Sequence, residues 1–204
     1  MALTSDIFTV TPTYSATLFR LAAVIGAGGD VPLITNQSLD NGAGYKISIH
    51  SVGNSSTMQF TIVGFVVGDL TGNTTTEAFN GPTAGNTVET TNYYSLITSV
   101  TASAAATGNI SIGTLITDGV ALPRARLRGF YYIATAVAGS ITLRANGGTA
   151  ADRILLSIAT PAIVAAQQMS LPGDGILMGG SGATSAFAVL INTTNVTSLT
   201  AFVG

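Results

Sequence analysis

His50 is the only histidine in the 204-residue chain, and there is no cysteine. Paired imidazoles and thiolate ligands for zinc are therefore excluded, and a serine-based relay has one imidazole base to draw on. His50 lies in YKISIH, where strand alternation puts Tyr45, Ile47 and Ile49 on one face and Lys46, Ser48 and His50 on the other. The expectation is an ordinary surface or interface histidine. The nine carboxylates are scattered singly, many in turn-like places such as Asp69, Asp118, Asp152 and Asp174. Aspartate serves such turns by bonding nearby backbone, so each is expected to shape a turn and not to form a hydrolytic pair.

Two glycine-rich tracts invite comparison with phosphate cradles. GGSGATS at 179–185 lacks the Lys-Ser/Thr ending of a nucleotide loop, and no helical run follows to offer its N-terminus. IGAGGD at 25–30 has Val31 where a dinucleotide fingerprint needs its third glycine. DLTGN at 69–73 and PGDG at 172–175 present oxygens, but too few to satisfy calcium locally. No catalytic, cofactor-binding or metal-ligating residue is assigned, and no enzymatic activity is expected.

One concentration of charge remains. Arg124, Arg126 and Arg128 in PRARLRG are three of seven basic residues, and strand spacing would project them to one face. Arginine forks pair with carboxylates and favour interfaces, so these three are candidate contacts between subunits, together with Tyr93 and Tyr94.

The elements that must position these residues are strands. Short runs rich in Val, Ile, Thr, Phe and Tyr recur between Gly, Asn, Asp and Pro clusters, and helical periodicity is nearly absent. In MQFTIVGF, Met58, Phe60, Ile62 and Gly64 share one face, and both faces become apolar toward the end, as in a central strand. TTTEAF returns as a hairpin after a Gly/Asp/Asn turn, and further strands fit Thr87–Thr91, Ser95–Thr101 and Asn109–Thr117. After 118–123 the pattern restarts. The reading is all-β: two tandem sandwich- or barrel-like domains, 1–120 and 121–204, the second compact, with 1–40 an extended arm or first strands. No internal sequence repeat is apparent.

Composition bounds the partners. Hydrophobic residues make up 47% and charged residues 8%, against about 25% charged in an ordinary soluble domain. A surface so poor in charge is weakly protected from association, so a permanent homo-oligomer or lattice is expected, with a trimer as the guess. The net charge of −2 gives no electrostatic case for nucleic acid or an anionic membrane. The apolar stretch Leu18 to Gly29 is too short to span a bilayer and contains Arg20.

The stretch from Lys46 to Thr114 pairs KISIHSVGNSSTMQFTIVGF with TGNTTTEAFNGPTAGNTVETTNYYSLITSVTASAAATGNISIGT. It resembles a recurrent module of structural proteins in marine and cyanobacterial tailed phages. LRGFYYIATAVAGSITLRANG, with DRILLSIATP and LPGDGILM, is similar to a small β sandwich found downstream in such proteins. The resemblance covers about three quarters of the chain and implies a virion component assembled in the host bacterial cytoplasm. Its expected function is capsid decoration or cement, with the major capsid protein or other virion proteins as partners. The alternatives are a tail or neck component (adaptor, tube or fibre base) and a carbohydrate-binding module using Tyr93, Tyr94, Tyr131 and Tyr132.

Overall fold

The computed structural model describes residues 8–10, 15–33, 43–67, 69, 71–115, 120–122, 125–145, 154–171, 173, 176–178 and 189–203. Within them the chain is all-β, and every strand pairing is antiparallel. No helix of the described residues is long and apolar enough to cross a membrane.

The chain divides into two compact units: Thr13–Leu39 with Gly44–Ile116, and Met1–Pro12 with Asp40–Ala43 and Thr117–Gly204. The first holds β2 (Arg20–Val24), β3 (Gly29–Asp30), β4 (Ser48–Ser51), β5 (Gln59–Val66), β6 (Thr75–Asn80), β7 (Thr87–Glu89), β8 (Tyr94–Ala102) and β9 (Asn109–Gly113). They form two sheets, β2-β9-β4-β7 and β3-β8-β5-β6. Each sheet buries one face. Ile49, Ile110 and Ile112 come from one sheet, and Phe60, Ile62, Ile97 and Val100 from the other. The alternation read in the sequence is the cause: Tyr45, Ile47 and Ile49 are buried, as are Met58, Phe60 and Ile62, whereas Gln59 is exposed. Gly64 continues the buried face, and β5 is central, flanked by β8 and β6.

The second unit holds β1 (Phe8–Val10), β10 (Val120–Leu122), β11 (Ala125–Ala134), β12 (Gly139–Ala145) and β13 (Ile154–Thr160), followed by β14 (Ala166–Ser170), β15 (Ile176–Met178), β16 (Val189–Thr194) and β17 (Val196–Val203). Its sheets run β1-β17-β11-β14 and β10-β16-β12-β13. β14 and β15 follow one another along the same partner, pairing with Gly129–Ile133 and then Ala125–Leu127 of β11, so they act as one interrupted strand. Leu127, Phe130, Tyr132, Ile141, Leu143, Leu199 and Ala201 make its core.

Counting β14 and β15 as one, both units have eight strands in the same order. The first strand lies beside the eighth, then come the third and sixth; the other sheet runs second, seventh, fourth, fifth. This is the jelly-roll arrangement of two interleaved Greek keys, in which every connection but the one between the fourth and fifth strands passes from one sheet to the other. The repetition is one of topology, carried by turns and alternation with no sequence identity to betray it. One sandwich is inserted between the first and second strands of the other, because β1 pairs with β17 from Phe8↔Val203 to Val10↔Ala201. The division expected at 120/121 cuts β10 and separates β1 from the sheet it joins. A three-residue strand is too short for its pairing to be read from periodicity.

Candidate interaction surfaces

His50 lies on β4 between Ser111 of β9 and Thr87 of β7, half-buried on the face opposite Ile49. Asp69 accepts the Thr71 backbone N–H at 2.8 Å, and the bonds from Thr71 hold its carboxyl below the usual carboxylate range. That is the turn-forming role expected of it. Asp118, Asp152 and Asp174, together with the GGSGATS tract, lie outside the described residues. Among the described residues no group of three His, Cys, Asp or Glu could hold a metal ion.

The arginine strip falls only partly within the described residues. Arg124 lies outside the described residues, and Arg126 is placed by its backbone, opposite Leu177. Arg128 is half-buried at an irregularity where β11 slips against β17, from Leu127↔Val203 to Gly129↔Phe202. A bulge there resets the alternation: Leu127 faces the core before it, and Phe130 and Tyr132 after it.

Tyr93 and Tyr94, expected at an interface, are instead enclosed by their own unit. Tyr93 is buried beneath the Lys46 ammonium, 5.7 Å from the ring centre, and Tyr94 is fully buried. Neither offers a ring face to a partner. The Tyr94 hydroxyl lies 3.4 Å from Glu77 Oε2, and the same carboxylate accepts the Asn92 backbone N–H at 3.1 Å and the Asn92 side-chain amide at 2.9 Å. Glu77 thereby ties β6 to the loop leading into β8.

Burial, then the Glu77 charge, raises the Tyr94 hydroxyl above the ordinary phenol value of 10. The sign follows from linkage. Below pH 10 both states keep the proton; above it the unfolded chain releases the proton that the folded chain retains, so stability falls with rising pH. Urea midpoints should drop between pH 9.5 and about 11.5, and Tyr94→Phe should flatten that segment of the profile. An equally steep decline in the variant would assign the effect elsewhere.

Arg20 is a buried cation that the sequence disclosed only as an interruption of an apolar stretch. It is 8% exposed, with Nη1 donating to the Pro32 carbonyl at 2.9 Å and Nη2 to the Val24 carbonyl at 3.2 Å. Burial lowers its pKa, and Nε has no hydrogen-bond partner among the described residues. The guanidinium thus clasps the connection from β2 to β3, which Gly29 helps turn at φ 122°.

The described surface also carries exposed aliphatic side chains. In the second unit, the β11–β12 and β13–β14 connections meet at one end, because Ile133 pairs with Ala166. The Ala134 N–H donates to the Ala165 carbonyl at 3.0 Å, and the Thr135 N–H donates to the Asn195 carbonyl at 3.1 Å. Asn195, left-handed at φ 53°, donates from Nδ2 to the Ala138 carbonyl at 2.8 Å. On this tied platform Ala136, Val137 and Ala138 stand exposed, as do Ala162, Ile163 and Val164, with Val164 at 73%. No charged residue occurs in 135–138 or 161–165. The first unit exposes Leu21 and Val24 on edge strand β2, and Val52 beyond β4. Val24 and Val52 flank Asn109: Val24 is its register partner, and the Val52 N–H donates to its carbonyl at 3.0 Å.

Exposed aliphatic side chains on hydrogen-bonded loops gain by leaving water. Compared with protein-family models, curated proteins and solved structures, the chain matches none.

Proposed function

We propose that the chain is a structural subunit of a virus particle, decorating or cementing the head of a tailed phage by apolar contacts with neighbouring subunits. The observation that carries this reading is the exposed aliphatic cluster on the uncharged loops 135–138 and 161–165 of the second unit, on a chain with only 8% charged residues. Exposed Val and Ile side chains on such a surface gain by leaving water, at about 25 cal/mol per Å² of apolar area removed. Loops already tied by hydrogen bonds lose little conformational freedom on docking. Two jelly rolls in one chain also suit the reading, since that architecture recurs in capsid proteins. The same architecture occurs in lectins, but of the four tyrosines expected to stack on a sugar Tyr93, Tyr94 and Tyr132 are buried, and among them Tyr131 alone is exposed.

The test is reattachment of the purified chain to heads of the phage encoding it, after accessory proteins are stripped. Binding across the facets is expected. Bare facets with label at the tail would move the subunit to the tail or neck, and no binding anywhere would end the reading. Val164→Asp should weaken attachment at least about tenfold, because a buried, unpaired carboxylate costs more than 1.4 kcal/mol. Its circular dichroism should match the parent, since the site is exposed. Undiminished attachment would remove this end from the interface.

A further inference from the structure

The two sandwiches share one topology but hold their first strands differently. In the inserted unit, β2 passes to β3 through residues 25–28 alone. In the other unit the equivalent passage, from β1 to β10, contains everything from residue 11 to residue 119. β1 is three residues long, occupies an edge, and pairs with a strand at the far end of the chain.

We propose that in the assembled state β1 of one copy completes the sheet of a neighbouring copy by pairing with its β17. The register would be the same, Phe8↔Val203 to Val10↔Ala201. Because the exchanged strand meets an identical edge, the contacts made within and between chains are equivalent. The balance is set by connection and concentration. A four-residue connection holds the first strand of the inserted unit at its own edge, with a high effective concentration. No such short tether holds β1, and a short edge strand opens at little cost.

The edge itself does nothing to discourage a second copy. Natural edge strands are guarded by Lys, Pro or inward charge, and neither FTV at 8–10 nor VTSLTAFV at 196–203 has a charged residue or a proline. Two copies of this edge therefore meet without electrostatic repulsion. The inference rests on the proposed function in one respect: packing on a shell supplies the millimolar local concentration that favours exchange.

The absence of native cysteine makes the test clean. Thr9 and Phe202 are register partners, and opposed residues of antiparallel strands lie about 4.5–5.5 Å apart at Cα, within disulfide reach. Full-length Thr9→Cys and Phe202→Cys chains are mixed after reduction, bound together to stripped heads, oxidised, and run on a denaturing gel without reductant. Exchange predicts a mixed dimer that reductant dissolves, and no comparable dimer when either variant is paired with the parent chain. Carrying both substitutions in one chain should give covalent ladders. A doubly substituted chain that binds heads but yields only an internally bridged monomer would overturn the exchange and leave attachment intact. If the Phe202 substitution prevents folding, the Phe8→Cys and Val203→Cys pair poses the same question one register step away.

Discussion

Phe60→Ala should destabilise the inserted sandwich by about 3–5 kcal/mol, a large share of the 5–15 kcal/mol that typically holds a domain folded. Phe60 is fully buried in β5, opposite Phe79 of β6 on one side and Ala102 of β8 on the other. Its ring also closes on Gly81, where an added Cβ would come within 2.9 Å of Cε2. Truncation removes that apolar area and leaves a cavity between strands whose backbone ladders resist collapse. Phe60→Leu, which keeps most of the volume, should cost about 1–2 kcal/mol. Urea unfolding followed by circular dichroism checks both. Equal midpoints for Phe60→Ala and the parent would mean that Phe60 does not occupy the centre of the core.

Gly139→Ala should cost about 2–4 kcal/mol through overpacking, although it adds a single methyl group. A Cβ at Gly139 would collide with the carbonyl oxygen of Thr194 and press on Cβ of Asn195 at 2.8 Å. The carbonyl cannot rotate away, because Thr194 is paired in β16 with Ser140. Relief would have to come from the β16–β17 turn, where Asn195 is held left-handed and bonded to Ala138. Displacing that turn loosens the platform beneath Val137, Ile163 and Val164. Gly139→Ala is therefore expected to lower both the thermal midpoint and attachment to heads. Gly173→Ala in the β14–β15 connection separates clash from backbone strain: among the described residues no atom lies within 4 Å of its added Cβ, and its cost comes from φ 62°. A smaller loss is expected there.

Much of the inserted sandwich could be read from the sequence, because its strands alternate cleanly. Met58, Phe60, Ile62 and Gly64 on one face, and Tyr45, Ile47 and Ile49 on another, are a direct consequence of two-residue periodicity against a core. The nesting of one jelly roll in the other was not legible. It depends on three residues, Phe8–Val10, choosing an edge at the far end of the chain. The register slip beside Arg128, at the end of the arginine stretch, is a local feature that uniform spacing does not foresee. Tyr93 and Tyr94 looked like interface residues because aromatic pairs serve both roles, and only their enclosure decides between them. Arg20 was visible as a charge in an apolar run, yet its clasp on Val24 and Pro32 depends on how the β2–β3 connection folds.

The apolar end was equally hidden. Ala136–Ala138 and Ala162–Val164 are unremarkable tripeptides in a chain that is 47% hydrophobic. They become neighbours only because β14 pairs with β11 in the register that sets Ala166 opposite Ile133. Their exposure is a property of the fold.

An electron-microscopy map of the particle encoded by the same genome tests this most directly. It should contain the two-sandwich subunit on the outer shell, with Val137, Ile163 and Val164 packed against a neighbour. A well-resolved particle lacking the subunit, or carrying it with that end open to solvent, would contradict the account.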